Sequence, residues 1–236
     1  MTIFEKFIFE PSGGMFRDFQ GLITHFAPKD LSLFRKLLPD RFSMPALPVV
    51  GICVTDYLHV FPWPMTPYRE WAVLLKNEIQ GETGWYVLTL PVTSWIAKVG
   101  GRILGFPKVI IDEISFDKAG ANWITRSSQK GVNTLALSFH PGITRSLEPW
   151  EKQLIDDPSF FKGNTHQLVP PEKGTRSQRI IFEHVVDYAW SPVPGMIHVE
   201  VDPSESWAGL VPDVAVFPGT YNHYQGGINL IAERFD

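Results

Sequence analysis

The sequence predicts a single, mostly β domain. Its 236 residues are enough for one large β domain, because a chain of this size can bury roughly 70% of its unfolded surface. Its 20 prolines and 19 glycines are spread throughout, so turns come often and no interdomain linker is visible. Short apolar runs of the kind found in strands recur between the turns. We therefore predict that residues 1–236 form one domain with a sandwich or barrel architecture.

Eight runs have the composition of strands, and two segments have that of helices. One short amphipathic helix is predicted over Pro28–Leu38, where apolar residues fall at helical spacing and Pro39 follows. A second helix begins at Thr93 or Ser94 and ends at Gly100-Gly101. The predicted strands are Pro48–Tyr57, Trp71–Ile79, Trp85–Leu90, Val109–Phe116, Asn122–Ser127, Thr134–Phe139, Arg179–Trp190 and Met196–Val201.

Charge and composition exclude several classes of partner. The net charge of −4 comes without a run of lysines and arginines, which argues against nucleic acid and anionic membranes. The amino terminus lacks the pattern of a signal peptide, and no stretch reaches the roughly 18 apolar residues of a membrane span. The single cysteine, Cys53, cannot form an internal disulfide. We expect a soluble, cytoplasmic protein.

Only 19% of the residues are charged, so part of the surface is expected to be covered by partner subunits. A homo-oligomer is therefore predicted, with an uncharged monomer surface as the alternative. No metal or cofactor is predicted. The glycine pairs lack the lysine and hydroxyl residue of a phosphate loop. Five histidines show no metal-ligand spacing with a third partner: His140, His166, His184, His198 and His223.

Lys108 is the residue that the local sequence sets apart. It follows Phe106 and Pro107 and precedes Val109–Ile111, so its amine is withdrawn from water if this strand is buried on both faces. Desolvation disfavours the ammonium form and leaves an amine that can attack a carbonyl carbon. From the residues alone, a lysine that ends the loop and points into solvent is the alternative.

Two segments resemble motifs of the acetoacetate decarboxylase family. The run Gly101–Lys108 resembles the family's Gly-Arg…Pro-Lys signature, whose lysine forms a Schiff base, and Tyr68-Arg69-Glu70 resembles its Tyr-x-Glu segment. Phe34–Pro39 resembles the family's early helix, and the region from Arg179 onwards resembles its late strands more loosely. The likeness thus runs over most of the chain.

The resemblance implies a double β-cone or barrel with peripheral helices, which encloses an apolar cavity and assembles into homo-oligomers. It implies that Lys108 forms a Schiff base with a small keto acid or ketone and that Glu70 is the active-site carboxylate. A surface ion pair with Arg69 is the alternative role for Glu70. The expected substrate-binding residues are Arg17, Tyr68, Phe106 and Val109.

One departure from the family bears on the chemistry. Val109 stands where the decarboxylases have a second lysine, so Lys108 is expected to depend on desolvation for its reactivity. The predicted function is a Schiff-base carbon–carbon lyase, most simply a decarboxylase of β-keto acids. An aldolase-dehydratase that uses the same lysine on pyruvate-like substrates and a non-catalytic small-molecule-binding protein are the alternatives.

Overall fold

The computed structural model describes residues 16–60, 66–156, 165–169 and 176–235, with the backbone alone for 156, 169, 181–190, 227 and 229–235. The helices are α1 (Leu31–Leu37), α2 (Trp95–Ile103) and α3 (Pro149–Asp156), with a short 3-10 helix over Ala208–Leu210. The strands are β1 (Phe16–Phe26), β2 (Val50–Val60), β3 (Tyr68–Ile79), β4 (Glu82–Val92), β5 (Lys108–Ile110), β6 (Glu113–Ala119), β7 (Asn122–Gln129), β8 (Val132–Pro141), β9 (Thr165–Val169), β10 (Arg176–Val201) and β11 (Val216–Phe235).

Seven of these strands close into a ring. Strands β1 to β4 pair with their neighbours in antiparallel fashion, and β11 pairs with both β1 and β10. Strand β9 joins β4 to β10 and so completes the circle. The same sheet continues from the long β10 through β8, β7 and β6. The mostly β fold is confirmed, and the ring is the part of it that positions the candidate site.

Residues on the two faces of the ring strands belong to different cores, because successive side chains along a strand point to opposite sides. The outer faces pack against β6–β8, α1 and the 3-10 helix, around Trp71, Phe139 and Trp207. The inner faces pack against one another within the ring and form what we call the inner cluster. Its members are Phe16, Phe19, Ile23, Val49, Cys53, Tyr57, Tyr68, Ala72, Leu74, Trp85, Val87, Leu90, Val92, Ala97, Phe106, Ile180, Tyr224 and Ile228. The enclosed apolar cavity that the family resemblance implies stays a prediction.

Both predicted helices form, with corrected boundaries: α1 begins at Leu31 rather than at Pro28. Helix α3 was not predicted. The side chain of Asp30 caps α1 by accepting a hydrogen bond from the backbone N–H of Leu33 at 2.9 Å. Ser94 caps α2 in the same way, but this helix runs through the glycine pair to Ile103. The predicted end at Gly100-Gly101 is therefore wrong. In the described ranges, no helix has both the length and the apolar composition needed to cross a membrane.

Two strand boundaries are corrected, and three strands are added to those predicted. The predicted run Val109–Phe116 is two strands, because the chain leaves the edge of β4 after Ile110 and begins the β6–β7 hairpin at Glu113. The two late runs, Arg179–Trp190 and Met196–Val201, belong to the single strand β10. Strands β1, β9 and β11 were not predicted, although β1 and β11 close the ring.

Candidate active site

Strand β5 places Lys108 inside the ring. Lys108 lies beside Leu90 of β4, and its side chain is only 8% exposed. Val109 is 42% exposed and Ile110 is 41% exposed. The expectation that this strand is buried on both faces is therefore wrong, and the side chain of Val109 points away from that of Lys108. Lys108 is withdrawn from water by the inner cluster rather than by the residues that follow it.

Glu70 meets Lys108 across the inner face of β3 and β4. Lys108 Nζ donates to Glu70 Oε2 at 2.7 Å, and the Glu70 side chain is also 8% exposed. The predicted alternative, a surface ion pair between Glu70 and Arg69, is wrong. Arg69 instead donates to Asp56 Oδ1 at 3.0 Å and to the carbonyl oxygen of Ile114 at 3.0 Å.

Two tyrosines hold the Glu70 carboxylate in place. Tyr57 Oη donates to Glu70 Oε1 at 2.9 Å, and the hydroxyl of Tyr68 also hydrogen-bonds to Glu70. Lys108 Nζ lies 5.3 Å from the centroid of the Tyr68 ring. Burial, followed by the negative charge of Glu70, raises the pKa of both Tyr57 and Tyr68 well above the ordinary value. Both hydroxyls therefore remain donors across the working pH range.

Hydrogen bonds and packing hold the loop over residues 104–107, which precedes Lys108. The backbone N–H of Phe106 donates to the carbonyl oxygen of Gly101 at 3.0 Å, and Gln178 Nε2 donates to that of Leu104 at 2.5 Å. Gly105 has φ +78°, a left-handed conformation that glycine adopts without steric cost. Phe106 itself is buried in the inner cluster. This loop sets where β5 begins and hence where Lys108 points.

The structure brings four of the six predicted site residues together: Lys108, Glu70, Tyr68 and Phe106. It places Val109 on the opposite face of β5. Arg17 lines a surface pocket of about 410 Å³ instead, together with Asp18, His59, Val60 and Gln225.

Tyr57 is a site residue that the sequence analysis missed. The predicted strand ended at Tyr57, but no motif marked it, and its role depends on the register that pairs it with Tyr68. That register places both rings on the inner face, with centroids 4.7 Å apart. In the described part of the chain, no group of three or more histidine, cysteine, aspartate or glutamate side chains is arranged to hold a metal ion. The side chain of His184 lies outside the described residues.

This arrangement can move a proton and bind a carbonyl compound. The Glu70 carboxylate is within hydrogen-bond distance of the Lys108 amine, so it can take a proton from the ammonium form. The amine left by that transfer is a nucleophile in apolar surroundings. The two tyrosine hydroxyls fix the orientation of the acceptor.

Comparison with known proteins identifies the family. The family model of acetoacetate decarboxylase matches residues 15–206. The chain belongs to the acetoacetate decarboxylase family. No curated protein matches the sequence.

Solved structures of acetoacetate decarboxylase-like proteins share the fold. Acetoacetate decarboxylase from Legionella pneumophila is 16% identical, with a TM-score of 0.69 over 95% of this chain and 88% of that one. An acetoacetate decarboxylase-like enzyme from Sphingomonas wittichii is 15% identical, with a TM-score of 0.67 over 93% and 91%. The enduracididine biosynthesis enzyme MppR, complexed with the condensation product of pyruvate and imidazole 4-carboxaldehyde, is 14% identical, with a TM-score of 0.65 over 92% and 87%.

Proposed function

We propose that the protein forms a Schiff base between Lys108 and the carbonyl carbon of a small keto acid or ketone. The observation that carries this proposal is the 2.7 Å contact between Lys108 Nζ and Glu70 Oε2 inside the ring, where both side chains are 8% exposed. Membership of the acetoacetate decarboxylase family supports it. The reaction that follows is most simply the decarboxylation of a β-keto acid.

The reaction begins when Glu70 accepts a proton from the Lys108 ammonium. The neutral amine adds to the ketone carbon, and loss of water gives a protonated imine. In a β-keto acid the bond to the carboxylate then breaks, its electron pair moves towards the imine nitrogen, and carbon dioxide leaves. Glu70 gives its first proton to the departing water and is protonated again from solvent, so it can protonate the enamine on carbon. Water then hydrolyses the protonated imine and releases the ketone and the Lys108 ammonium. The proposed steps give no role to Arg17, which lines the surface pocket, or to Val109, which is 42% exposed.

Aldolase-dehydratase chemistry is the second candidate, and the position of Glu70 favours it. A carboxylate held beside the imine nitrogen by Tyr57 and Tyr68 can remove a proton from the carbon next to the imine carbon. The enamine then attacks an aldehyde, and water is lost from the adduct. The relative MppR was crystallised with a condensation product of pyruvate and an aldehyde, which supports this chemistry on the shared fold.

Borohydride reduction tests the Schiff base itself. We expect sodium borohydride to trap a covalent adduct with acetoacetate or pyruvate, since it reduces the imine and fixes the carbon skeleton on the amine. Mass mapping should place the adduct on Lys108. Lys108→Ala should abolish it, whereas Lys98→Ala, at a lysine that lies against the Trp95 ring of α2, should not. An adduct that persists in Lys108→Ala would contradict the proposal.

Products separate the candidate reactions. Release of carbon dioxide from acetoacetate would support the decarboxylase, and condensation of pyruvate with imidazole 4-carboxaldehyde would support the aldolase-dehydratase. If an adduct is trapped but neither product forms, the result would support a non-catalytic binding protein. The proposed reactions use only protein side chains, so no cofactor is invoked. A cytoplasmic location is proposed with them, since Cys53 is a buried free thiol.

We also infer that a second copy of the chain covers an apolar surface on α2 and β5. Trp95, Val99 and Ile103 lie four residues apart, on one face of α2, and all are exposed. Exposed apolar patches of this kind mark interaction surfaces, and the low charge of the chain suits an interface between copies. The surface comprises Trp95, Ile96, Val99, Ile103, Val109 and Ile110.

Sedimentation tests this interface. Val99→Glu should dissociate the assembly, because the interface would then bury an unpaired charge. Val132→Glu is the matched control, since Val132 is equally apolar and exposed but lies on β8. A wild-type protein that sediments as a monomer at micromolar concentration would contradict the inference.

A further inference from the structure

Strands β9 and β5 lie end to end along one edge of β4. Both run parallel to β4, with Thr165 beside Trp85 and Lys108 beside Leu90. If the register of β9 is continued, Gln167 lies beside Val87. Val87 is three residues before Leu90, so Gln167 and Lys108 are about 10 Å apart along β4, at roughly 3.3 Å per residue. Gln167 also packs against the loop that carries Lys108, since a Cβ atom at Gly105 would lie 3.3 Å from Gln167 Cβ.

Gln167 faces the inside of the ring. Its neighbour His166 stacks with Phe42, which belongs to the outer core, so Gln167 and Thr165 face the inner cluster. The pairing of Thr165 supports this orientation, because its partner Trp85 is a member of the inner cluster. Gln167 therefore shares the face from which Lys108 and Glu70 project.

The Gln167 side chain is fully buried, and among the described residues neither Nε2 nor Oε1 has a hydrogen-bond partner. Gln178, which is paired with Gln167 in register, has its amide engaged with the carbonyl oxygen of Leu104. Thr165 Oγ1 and His25 Nε2 likewise have no partner in the described ranges. Buried amides are nearly always hydrogen-bonded, so an exception on the active-site face points to a ligand.

We propose that Gln167 is a specificity-determining residue that binds a neutral hydrogen-bonding group at the far end of an extended keto acid held by Lys108. The inference rests on the proposed function, since it requires the Schiff base at Lys108. The separation of about 10 Å between the two residues along β4 is too long for pyruvate or acetoacetate to span. The substrate is therefore an extended molecule.

The chemistry of this face favours a neutral group. A carboxamide both donates and accepts, which matches a hydroxyl or an amide. Burial and then the charge of Lys76 lower the pKa of His25 to about 3, so His25 is neutral as well. Lys76 is paired with Trp85 of β4, which is two residues before Val87, the residue beside Gln167. Lys76 is only half-buried. A carboxylate at Gln167 would be buried without a countercharge.

Competition between three keto acids in the borohydride experiment tests the proposal. The probes are 2-oxoheptanoate, 7-hydroxy-2-oxoheptanoate and 2-oxoheptanedioate, which differ only in a terminal methyl, hydroxyl or carboxylate. From an equimolar mixture, the wild-type protein should trap the hydroxyl-ended acid at least about tenfold over each of the others, because a site built for a hydrogen bond rejects analogues that lack it. A preference for the carboxylate-ended acid would indicate that Lys76, and not Gln167, binds the far end of the substrate, and it would overturn the proposal.

Two variants assign the preference to Gln167. Gln167→Leu should remove the preference for the hydroxyl-ended over the methyl-ended acid. Gln178→Leu is the matched control: it loosens the Leu104 loop, lowers trapping of all three acids and keeps their ratio. Gln167→Leu should also raise the thermal midpoint of the free protein, since it removes two unpaired polar atoms. A lowered midpoint in both Gln167→Leu and Gln167→Met would show a structural role and overturn the proposal.

Failure of this inference is distinguishable from failure of the proposed function. If pyruvate is trapped on Lys108 but Gln167→Leu leaves the hydroxyl-to-methyl ratio unchanged, only the specificity assignment is overturned. If no keto acid is trapped by the wild-type protein, both are overturned.

Discussion

A Cβ atom at Gly101 would lie 2.5 Å from Lys108 Cε and 3.0 Å from Lys108 Cγ. The aliphatic part of the lysine thus lies directly against the backbone of α2, where only glycine leaves room for it. The glycine is needed for its missing side chain, and the helix supplies a wall that directs Lys108 towards Glu70.

Gly101→Ala is expected to displace Lys108 and lower the rate of borohydride trapping by about tenfold or more, on the scale of a misplaced catalytic group. Gly100→Ala is the control, because a Cβ atom at Gly100 meets nothing within 4 Å. That change should keep the trapping rate and raise stability slightly, as alanine favours the helix. Equal trapping rates in the two variants would contradict the role of Gly101.

Glu70→Gln is expected to cut turnover by about 10²-fold or more, the usual scale for a positioned acid or base. The amide keeps the shape of the side chain but cannot accept a proton from the Lys108 ammonium. Turnover should be measured beside the thermal midpoint. If the midpoint collapses while the activity per folded molecule stays normal, Glu70 is structural.

Tyr57→Phe should lower turnover by about tenfold, because Glu70 loses one of the donors that orient it and hydrogen bonds to charged groups are the stronger ones. The raised pKa of Tyr57 keeps the wild-type hydroxyl protonated, so the loss should be the same at neutral and mildly alkaline pH. Tyr221→Phe is the matched control, since the Tyr221 hydroxyl donates to Gln20 Oε1 at 3.0 Å, away from Glu70. A comparable loss in Tyr221→Phe would argue against a specific role for Tyr57.

The class of the fold and the central pair of the site could be predicted, for different reasons. Frequent turns and short apolar runs indicate a β fold directly, and the motifs around Tyr68 and Lys108 supplied the pair by family resemblance. The pairing of strands could not be predicted, because hydrogen bonds between β1, β10 and β11 join residues that are far apart in the sequence. The role of Tyr57 depends on the register between β2 and β3, which the sequence does not specify, so it was missed.

The sequence also could not predict which face of a strand is covered by other parts of the protein. An apolar run predicts a strand but not which face is covered, so Val109 and Ile110 were expected to shield Lys108. In the structure both side chains are more than 40% exposed, and Val109 lies on the face of β5 opposite Lys108. Phe106, two residues before Lys108, belongs to the apolar inner cluster, but the other members come mainly from distant strands of the ring, for which the local sequence carries no signal.

The buried, neutral His25 is expected to lower the stability of the protein in acid. The pKa of His25 is lowered to about 3 in the folded protein, whereas the unfolded chain titrates near the ordinary value of 6.5. Between these values the unfolded state binds the additional proton, so stability falls as the pH is lowered from about 6.5 towards 3. At pH 5 the contribution of this one group is a loss of about 2 kcal/mol.

Urea unfolding at pH 7 and pH 5 measures this effect. His25→Leu should lose about 2 kcal/mol less than the wild-type protein between the two conditions, because leucine has no proton to bind in the unfolded state. His140→Leu, at an exposed position of β8, is the control and should keep the wild-type difference. An unchanged pH dependence in His25→Leu would mean that the folded protein protonates His25 as readily as the unfolded chain does, and that the imidazole is not a neutral member of the inner face.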